Sequence, residues 1–157
     1  MKKILILTIL LTTCMFGEDL KIKSKLFNTD QKIGISTFEE NVNIIKGTDE
    51  LNASKVIVYT DENQQPIKFV AEGDASFSIT TVEGDRYKGT SQKVVYYPVK
   101  KEYHFFIDVH LKQINEKKEI SGDEVILKTI EGKAYAKGAR EEPVIMIFDM
   151  PEKTDKK

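Results

Sequence analysis

Tryptophan is absent from the 157-residue chain, and cysteine occurs once, at Cys14. A single cysteine excludes an internal disulfide and any zinc site built from paired cysteines. The two histidines, His104 and His110, are six residues apart on one predicted strand, about 20 Å at roughly 3.3 Å per residue, which is too far to share a metal ion. The chain also lacks the G-x-S-x-G, P-loop and H-E-x-x-H motifs. We therefore predict a protein that is not an enzyme and uses no metal or other cofactor.

A surplus of charge of either sign is also missing. The chain has 24 Lys and Arg residues against 25 Asp and Glu residues, for a formal net charge of −1. Proteins that grip nucleic acid through its phosphates need a basic surplus, so we expect no nucleic-acid partner. The length suits a single domain with a sizeable core.

The chain has no hydrophobic run of the length of a transmembrane helix. Its longest hydrophobic run is at the start of the chain. Lys2 and Lys3 precede an apolar, Thr-rich run at 4–16. This run of about a dozen residues is too short to cross a bilayer as a helix at about 1.5 Å per residue. It predicts a secretory signal peptide at 1–17 and a mature chain that works outside the cytoplasm. The sequence "LTTC" at 11–14 leaves lipid attachment at Cys14 open, although Thr13 is a poor residue before such a cysteine.

The rest of the chain alternates apolar and polar residues with a period of two. Turn sequences such as "TDENQQP" (60–66) and "VEGDRYKG" (82–89) separate the alternating runs, and no run keeps a helical period. In the run 103–111 the alternation places Ile107 on the same face as Phe105 and Val109. Short strands and turns at intervals of about 8 to 12 residues predict an all-β protein with antiparallel strands.

Three segments share one pattern, and each is predicted to be a β-hairpin. They cover 40–59, 73–97 and 107–128, and each begins with a polar turn at an equivalent place, marked by Asn41, Asp74 and Asp108 about every 34 residues. A single hairpin is marginally stable in water, whereas stacked hairpins bury one continuous apolar face. The repeat therefore predicts a stack of similar hairpins.

The units "NVNIIKGTDELNASKVIVY" and "YKGTSQKVVYY", with the opening "LKIKSKLFNTDQKIGISTFEENV", resemble the periplasmic lipopolysaccharide-transport bridge proteins of the LptA/OstA family. The resemblance covers roughly residues 18–150. It departs from the family pattern at the first predicted turn, where Glu40 replaces the usual glycine. It implies a twisted antiparallel β-jellyroll shaped like a slightly open V and open at both ends, with lipopolysaccharide acyl chains in its apolar interior. It also implies a periplasmic location, and partners in an inner-membrane transport complex and an outer-membrane translocon.

The resemblance places lipid-lining positions at Leu20, Ile22, Phe77, Tyr96 and Pro98. All but Pro98 also lie on the face selected by alternation. Together the two arguments predict this lipid-binding set: Leu20, Ile22, Val42, Ile44, Val56, Val58, Phe77, Ile79, Val94, Tyr96, Pro98, Val109, Leu111, Val125 and Leu127. Alternation reports burial and not what fills the interior, so an ordinary dry core remains the alternative.

The end of the domain carries a second candidate site. The segment "EEPVIMIFDM" (141–150) has no charge between Glu142 and Asp149. It predicts an exposed docking edge at Val144, Ile145, Met146, Ile147 and Phe148, covered by a second copy in head-to-tail order or by an outer-membrane partner. A central strand of its own sheet is the alternative.

The charged tail at 151–157 is expected to be disordered. A structural adaptor domain that docks transport components without carrying lipid remains the alternative function.

Overall fold

The computed structural model describes residues 18–150, which form ten antiparallel β-strands. The predicted signal peptide at 1–17, Cys14 and the tail at 151–157 lie outside the described residues. No helix able to span a bilayer occurs within 18–150. The strands are β1 (Leu20–Lys23), β2 (Leu26–Asp30), β3 (Ile35–Lys46), β4 (Asp49–Thr60), β5 (Pro66–Thr80), β6 (Arg86–Tyr97), β7 (Glu102–Gln113), β8 (Lys118–Lys128), β9 (Lys133–Lys137) and β10 (Ile145–Ile147).

The strands form one open sheet in the order β1-β3-β4-β5-β6-β7-β8-β10. Strand β2 also pairs with β3, and β9 also pairs with β8, so each edge carries two short strands. The pairs β3–β4, β5–β6 and β7–β8 are the three predicted hairpins. The structure thus confirms an all-β fold of stacked antiparallel hairpins that does not close into a barrel.

The polar positions that mark the repeat are not turns, as the sequence had suggested, but bulges in the middle of long strands. Two consecutive residues have positive φ in each of β3, β5 and β7, and the register shifts at the same places. The second residue of each pair is Asn or Asp, the residue types that tolerate the left-handed region best after glycine. These pairs are Glu40 and Asn41, Gly73 and Asp74, and Ile107 and Asp108.

The row of bulges bends the sheet into two half-sheets whose inner faces meet. Phe77 follows the bulge of β5 and Phe105 precedes the bulge of β7, yet their rings stack with centroids 4.2 Å apart. The bend also corrects the expected face of Ile107, which is 55% exposed. The residue in the bulge is turned outward, and the inward positions resume after it at Val109, which is fully buried.

The core lies between the two half-sheets. Its most completely buried side chains come from both of them, and burying each one fully contributes about 1.5–3 kcal/mol. These residues are Val42, Val56, Val94, Phe105, Val109, Val125 and Leu127.

The rims of the two half-sheets are joined at one side, opposite the row of bulges. The backbone N–H of Val82, in the β5–β6 turn, donates to the carbonyl of Thr129 after β8 at 3.3 Å. The N–H and hydroxyl of Thr129 both donate to the carbonyl of Lys101, at 3.1 and 2.8 Å. Thr129 is 5% exposed. These contacts hold the rims of the two half-sheets together beside the ends of β5 and β8.

Candidate functional site

An apolar cavity of about 410 Å³ lies between the half-sheets on the side of β3 to β6. Residues beyond the row of bulges form one wall, chiefly Leu20, Ile44, Leu51 and Ile79. The opposite wall comes from the other half-sheet and from the turns next to it. Its residues are Val56, Gln65, Pro66, Phe69, Ala71, Val94, Tyr96, Pro98 and Tyr103. Four charged residues, Glu18, Lys46, Asp49 and Glu50, complete the lining.

The bulges decide which side chains reach this cavity. In β4, Leu51 and Val56 both point inward although they are an odd number of residues apart. The register shift between Asn52 and Lys55 changes the inward parity of the strand at the bend. Each strand therefore contributes inward residues to both half-sheets.

Seven of the fifteen residues predicted to bind lipid line the cavity. These are Leu20, Ile44, Val56, Ile79, Val94, Tyr96 and Pro98. The other eight lie outside its lining. Ile22 packs, partly buried, against the core, and the remaining seven are core residues: Val42, Val58, Phe77, Val109, Leu111, Val125 and Leu127.

The prediction missed several wall residues. Phe69, Ala71 and Tyr103 lie on alternating runs of the sequence, and the same parity argument would have found them. Leu51 could not be found in that way, because its parity relative to Val56 depends on the bulge.

Two tyrosines form the aromatic part of the wall. The rings of Tyr96 and Tyr103 stack with centroids 4.3 Å apart, and Phe69 lies 6.0 Å from Tyr96. Burial raises the pKa of both tyrosine hydroxyls, most strongly that of Tyr103. Both side chains are therefore neutral at physiological pH, and this wall presents uncharged aromatic surface.

A polar pocket of about 320 Å³ adjoins the apolar cavity. The two share Glu18, Lys46, Asp49, Tyr96 and Tyr103. The remaining lining of the polar pocket is Thr48, Thr80, Thr81, Val82, Lys101 and Thr129.

Asp49 lies where the cavity and the polar pocket meet. One of its carboxylate oxygens accepts the backbone N–H of Thr80 at 2.8 Å. Burial raises the pKa of the Asp49 carboxyl, against the opposing effects of that hydrogen bond and of Lys46.

Strand β10 lies at the edge of the sheet, where the docking edge was predicted. It pairs with β8 through Ile145, Met146 and Ile147, opposite Ser121, Ile120 and Glu119. The structure places it outside the centre of the sheet, which excludes the alternative of a central strand. Its side chains and that of the following residue, Phe148, are all about half exposed. Val144 is partly buried.

The two histidines bond to separate carboxylates. His104 lies 3.4 Å from Glu102, and His110 lies 3.0 Å from Asp108. Within residues 18–150 no group of three His, Cys, Asp or Glu side chains is arranged to hold a metal ion.

The fold is shared with LptH, described as the LptA-homologous periplasmic component of the conserved lipopolysaccharide transport device from Pseudomonas aeruginosa. The chains are 14% identical, and the alignment has a TM-score of 0.75 and covers 85% of this chain and 96% of LptH. This likeness establishes the β-jellyroll fold. No match was found among the curated proteins.

A family model provides the assignment. The model described as "LptA/(LptD N-terminal domain) LPS transport protein" matches residues 21–133, which are well over half of the chain. The match runs from β1 to the first residue of β9 and includes all three hairpins and the residues of the apolar cavity from Ile44 to Tyr103. The chain belongs to the LptA/LptD N-terminal domain family of lipopolysaccharide transport proteins.

Proposed function

We propose that this protein binds lipopolysaccharide by its acyl chains and forms a link in a periplasmic path from the inner to the outer membrane. Its partners on this path are an inner-membrane transport complex and an outer-membrane translocon. The observation that carries the proposal is the apolar cavity between the half-sheets, in a chain of a lipopolysaccharide transport family. The protein acts by binding and transfer rather than by catalysis.

The size of the cavity bears on how the lipid is held. A volume of about 410 Å³ equals that of about fourteen water molecules at ~30 Å³ each. A methylene group is of similar size, so the cavity holds roughly one acyl chain. At about 0.8 kcal/mol per CH₂, one buried chain contributes about 10 kcal/mol, which is comparable to the cost of association. Binding of this strength is reversible, as transfer to the next component requires. Accommodating more chains requires the half-sheets to move apart.

Photo-crosslinking tests the binding site. A photoreactive residue at Tyr96 or Leu51, on the cavity wall, should label lipopolysaccharide. The same residue at Lys93 or Lys68, on the outer face, should not. Equal labelling at inner and outer positions would refute the proposal. An adaptor that only docks would give no labelling at any of the four sites while keeping its contacts with the transport components.

We further propose that copies of the protein associate head to tail through their sheet edges. At one edge β10 presents exposed apolar side chains on a strand of three residues. At the other edge β1 carries Lys21 and Lys23, which discourage unspecific strand pairing. An unpaired edge recruits another strand through its free N–H and C=O groups.

Sedimentation of an edge variant tests this association. Replacing Ile145 with proline and Ile147 with aspartate should give a folded monomer that still binds lipid. Ile130→Asp is the matched control, because Ile130 is as exposed as Ile145 but lies in the β8–β9 turn. An edge variant that still self-associates at high concentration would show that the interface is elsewhere.

A further inference from the structure

The polar pocket next to the apolar cavity differs from it in its lining, which is mainly polar and charged. It is lined by four threonines, two lysines and two acidic residues: Thr48, Thr80, Thr81, Thr129, Lys46, Lys101, Glu18 and Asp49. Five residues line both spaces, so the polar pocket lies directly beside the cavity. A ligand that fills both spaces must be apolar at one end and polar at the other.

The charged groups of the pocket are available to a ligand. Within residues 18–150, neither Lys46 nor Lys101 forms an ion pair, whereas Lys55, Lys93 and Lys112 on the outer face all do. Ammonium groups that are not held in an ion pair can form charge-assisted hydrogen bonds with phosphate oxygens.

The uncharged and acidic groups suit a different part of the same ligand. In the described part of the chain, Asp49 uses one carboxylate oxygen to accept the Thr80 N–H, and no hydrogen bond occupies the other. The hydroxyl of Thr80 is 3.4 Å from that of Thr48, close to the limit for a hydrogen bond. Carboxylate oxygens accept hydrogen bonds from hydroxyl groups, and threonine hydroxyls both donate and accept them. This combination matches a sugar ring that carries hydroxyl groups beside a phosphate.

We propose that the polar pocket is a headgroup site, which binds the phosphorylated sugar of the lipid whose acyl chain fills the apolar cavity. Lys46 and Lys101 bind the phosphate, and Asp49 with Thr48 and Thr80 binds sugar hydroxyls. The proposal rests on the proposed function, because it requires lipid in the adjoining cavity. It fixes the orientation of the bound lipid, with its headgroup at the rim formed by the β3–β4 and β6–β7 turns.

Binding of two lipids by the full mature protein tests the headgroup site. The probes are lipid A with both phosphates and the same lipid with its phosphates removed. Wild-type protein should bind the phosphorylated form more tightly. The double variant Lys46→Met and Lys101→Met should lose roughly tenfold in affinity for that form, about the contribution of one charge-assisted hydrogen bond at a partly exposed site. Lys101→Met alone, at a residue that lines only the polar pocket, should leave the affinity for the dephosphorylated form unchanged.

Lys88→Met is the matched control. Lys88 is an exposed lysine on the outer face of β6, outside both cavities, and its replacement should change neither affinity. If wild-type protein binds both lipids equally, or if the double variant matches wild type, the headgroup site is wrong and acyl-chain binding stands. If wild-type protein binds neither lipid, the proposed function fails and the headgroup site fails with it.

A competition arm separates lipid phosphate from free phosphate. Inorganic phosphate at millimolar concentration should not displace the phosphorylated lipid, because it has no acyl chain in the cavity. Displacement that reduces wild-type affinity to that of the double variant would show a free-anion site instead of a headgroup site.

Discussion

Replacing Phe77 with alanine tests whether Phe77 belongs to the packed core or to the wall of the apolar cavity. Phe77 is 5% exposed, stacks on Phe105 and lies directly over Gly89. Truncating a buried phenylalanine costs about 3–5 kcal/mol of stability, since the cavity it leaves refills only partly. At roughly 4 °C per kcal/mol for a domain of this size, Tm should fall by about 12–20 °C.

The comparison variant is Leu51→Ala. Leu51 is partly buried and faces space that is already empty, so its truncation creates little new cavity. Loss of its three carbon groups at half burial costs about 1 kcal/mol, which lowers Tm by roughly 4 °C. Leu51→Asp should still fold, because the carboxylate can reach water in the cavity, but it should lose lipid binding.

Thermal unfolding by circular dichroism measures both variants, and lipid binding is measured at 20 °C below each midpoint. We expect Phe77→Ala to bind lipid where it is folded. Phe77→Asp should also abolish transport, and the cause should be unfolding of the core rather than loss of a lipid contact. Equal Tm values for Phe77→Ala and Leu51→Ala would refute the division between a packed core and an open cavity.

Three further predictions concern single contacts. Asp49→Asn should be more stable than wild type at neutral pH. Burial raises the pKa of Asp49 above 3.8 in the folded protein, so ionisation of this carboxyl costs the wild type stability as pH rises through the folded pKa. The difference should vanish in thermal unfolding below pH 3.8, and a constant difference would contradict it. Val82→Pro removes the backbone N–H that donates to the Thr129 carbonyl, while proline suits the second position of the turn closed by the Gly84 N–H. Lipid uptake by this variant should therefore be faster than by Val82→Ala, which keeps the N–H. Equal uptake rates would show that this hydrogen bond does not limit the opening of the half-sheets. Gly89→Ala should lower Tm strongly in a calorimetric scan, since its Cβ would clash with the His110 carbonyl and the Phe77 ring, and an unchanged Tm would contradict that packing.

The local structure followed from the sequence because burial is encoded residue by residue. Period-two alternation and polar turns identified the three hairpins and most of their inward positions. Both signals can be recognised from residues that are neighbours in the sequence. The exposed edge at Ile145–Ile147 was likewise found from a short run of apolar residues. The repeat of Asn41, Asp74 and Asp108 was also recognised, since equivalent residues stand at equivalent places.

The bend and the cavity were decided by the tertiary structure. Asn and Asp occur in turns and in bulges alike, so the repeat could not show that these residues bend strands in the middle, and the partner strands determine which of the two forms. Phe77 and Tyr96 cannot be told apart in the sequence, because both are aromatic residues at inward positions of alternating runs. Phe77 meets Phe105 across the bend and fills the core, whereas Tyr96 lies where the half-sheets diverge and leaves a cavity. Alternation specifies that a side chain is removed from water, but the distance between opposing half-sheets specifies whether protein or empty space faces it.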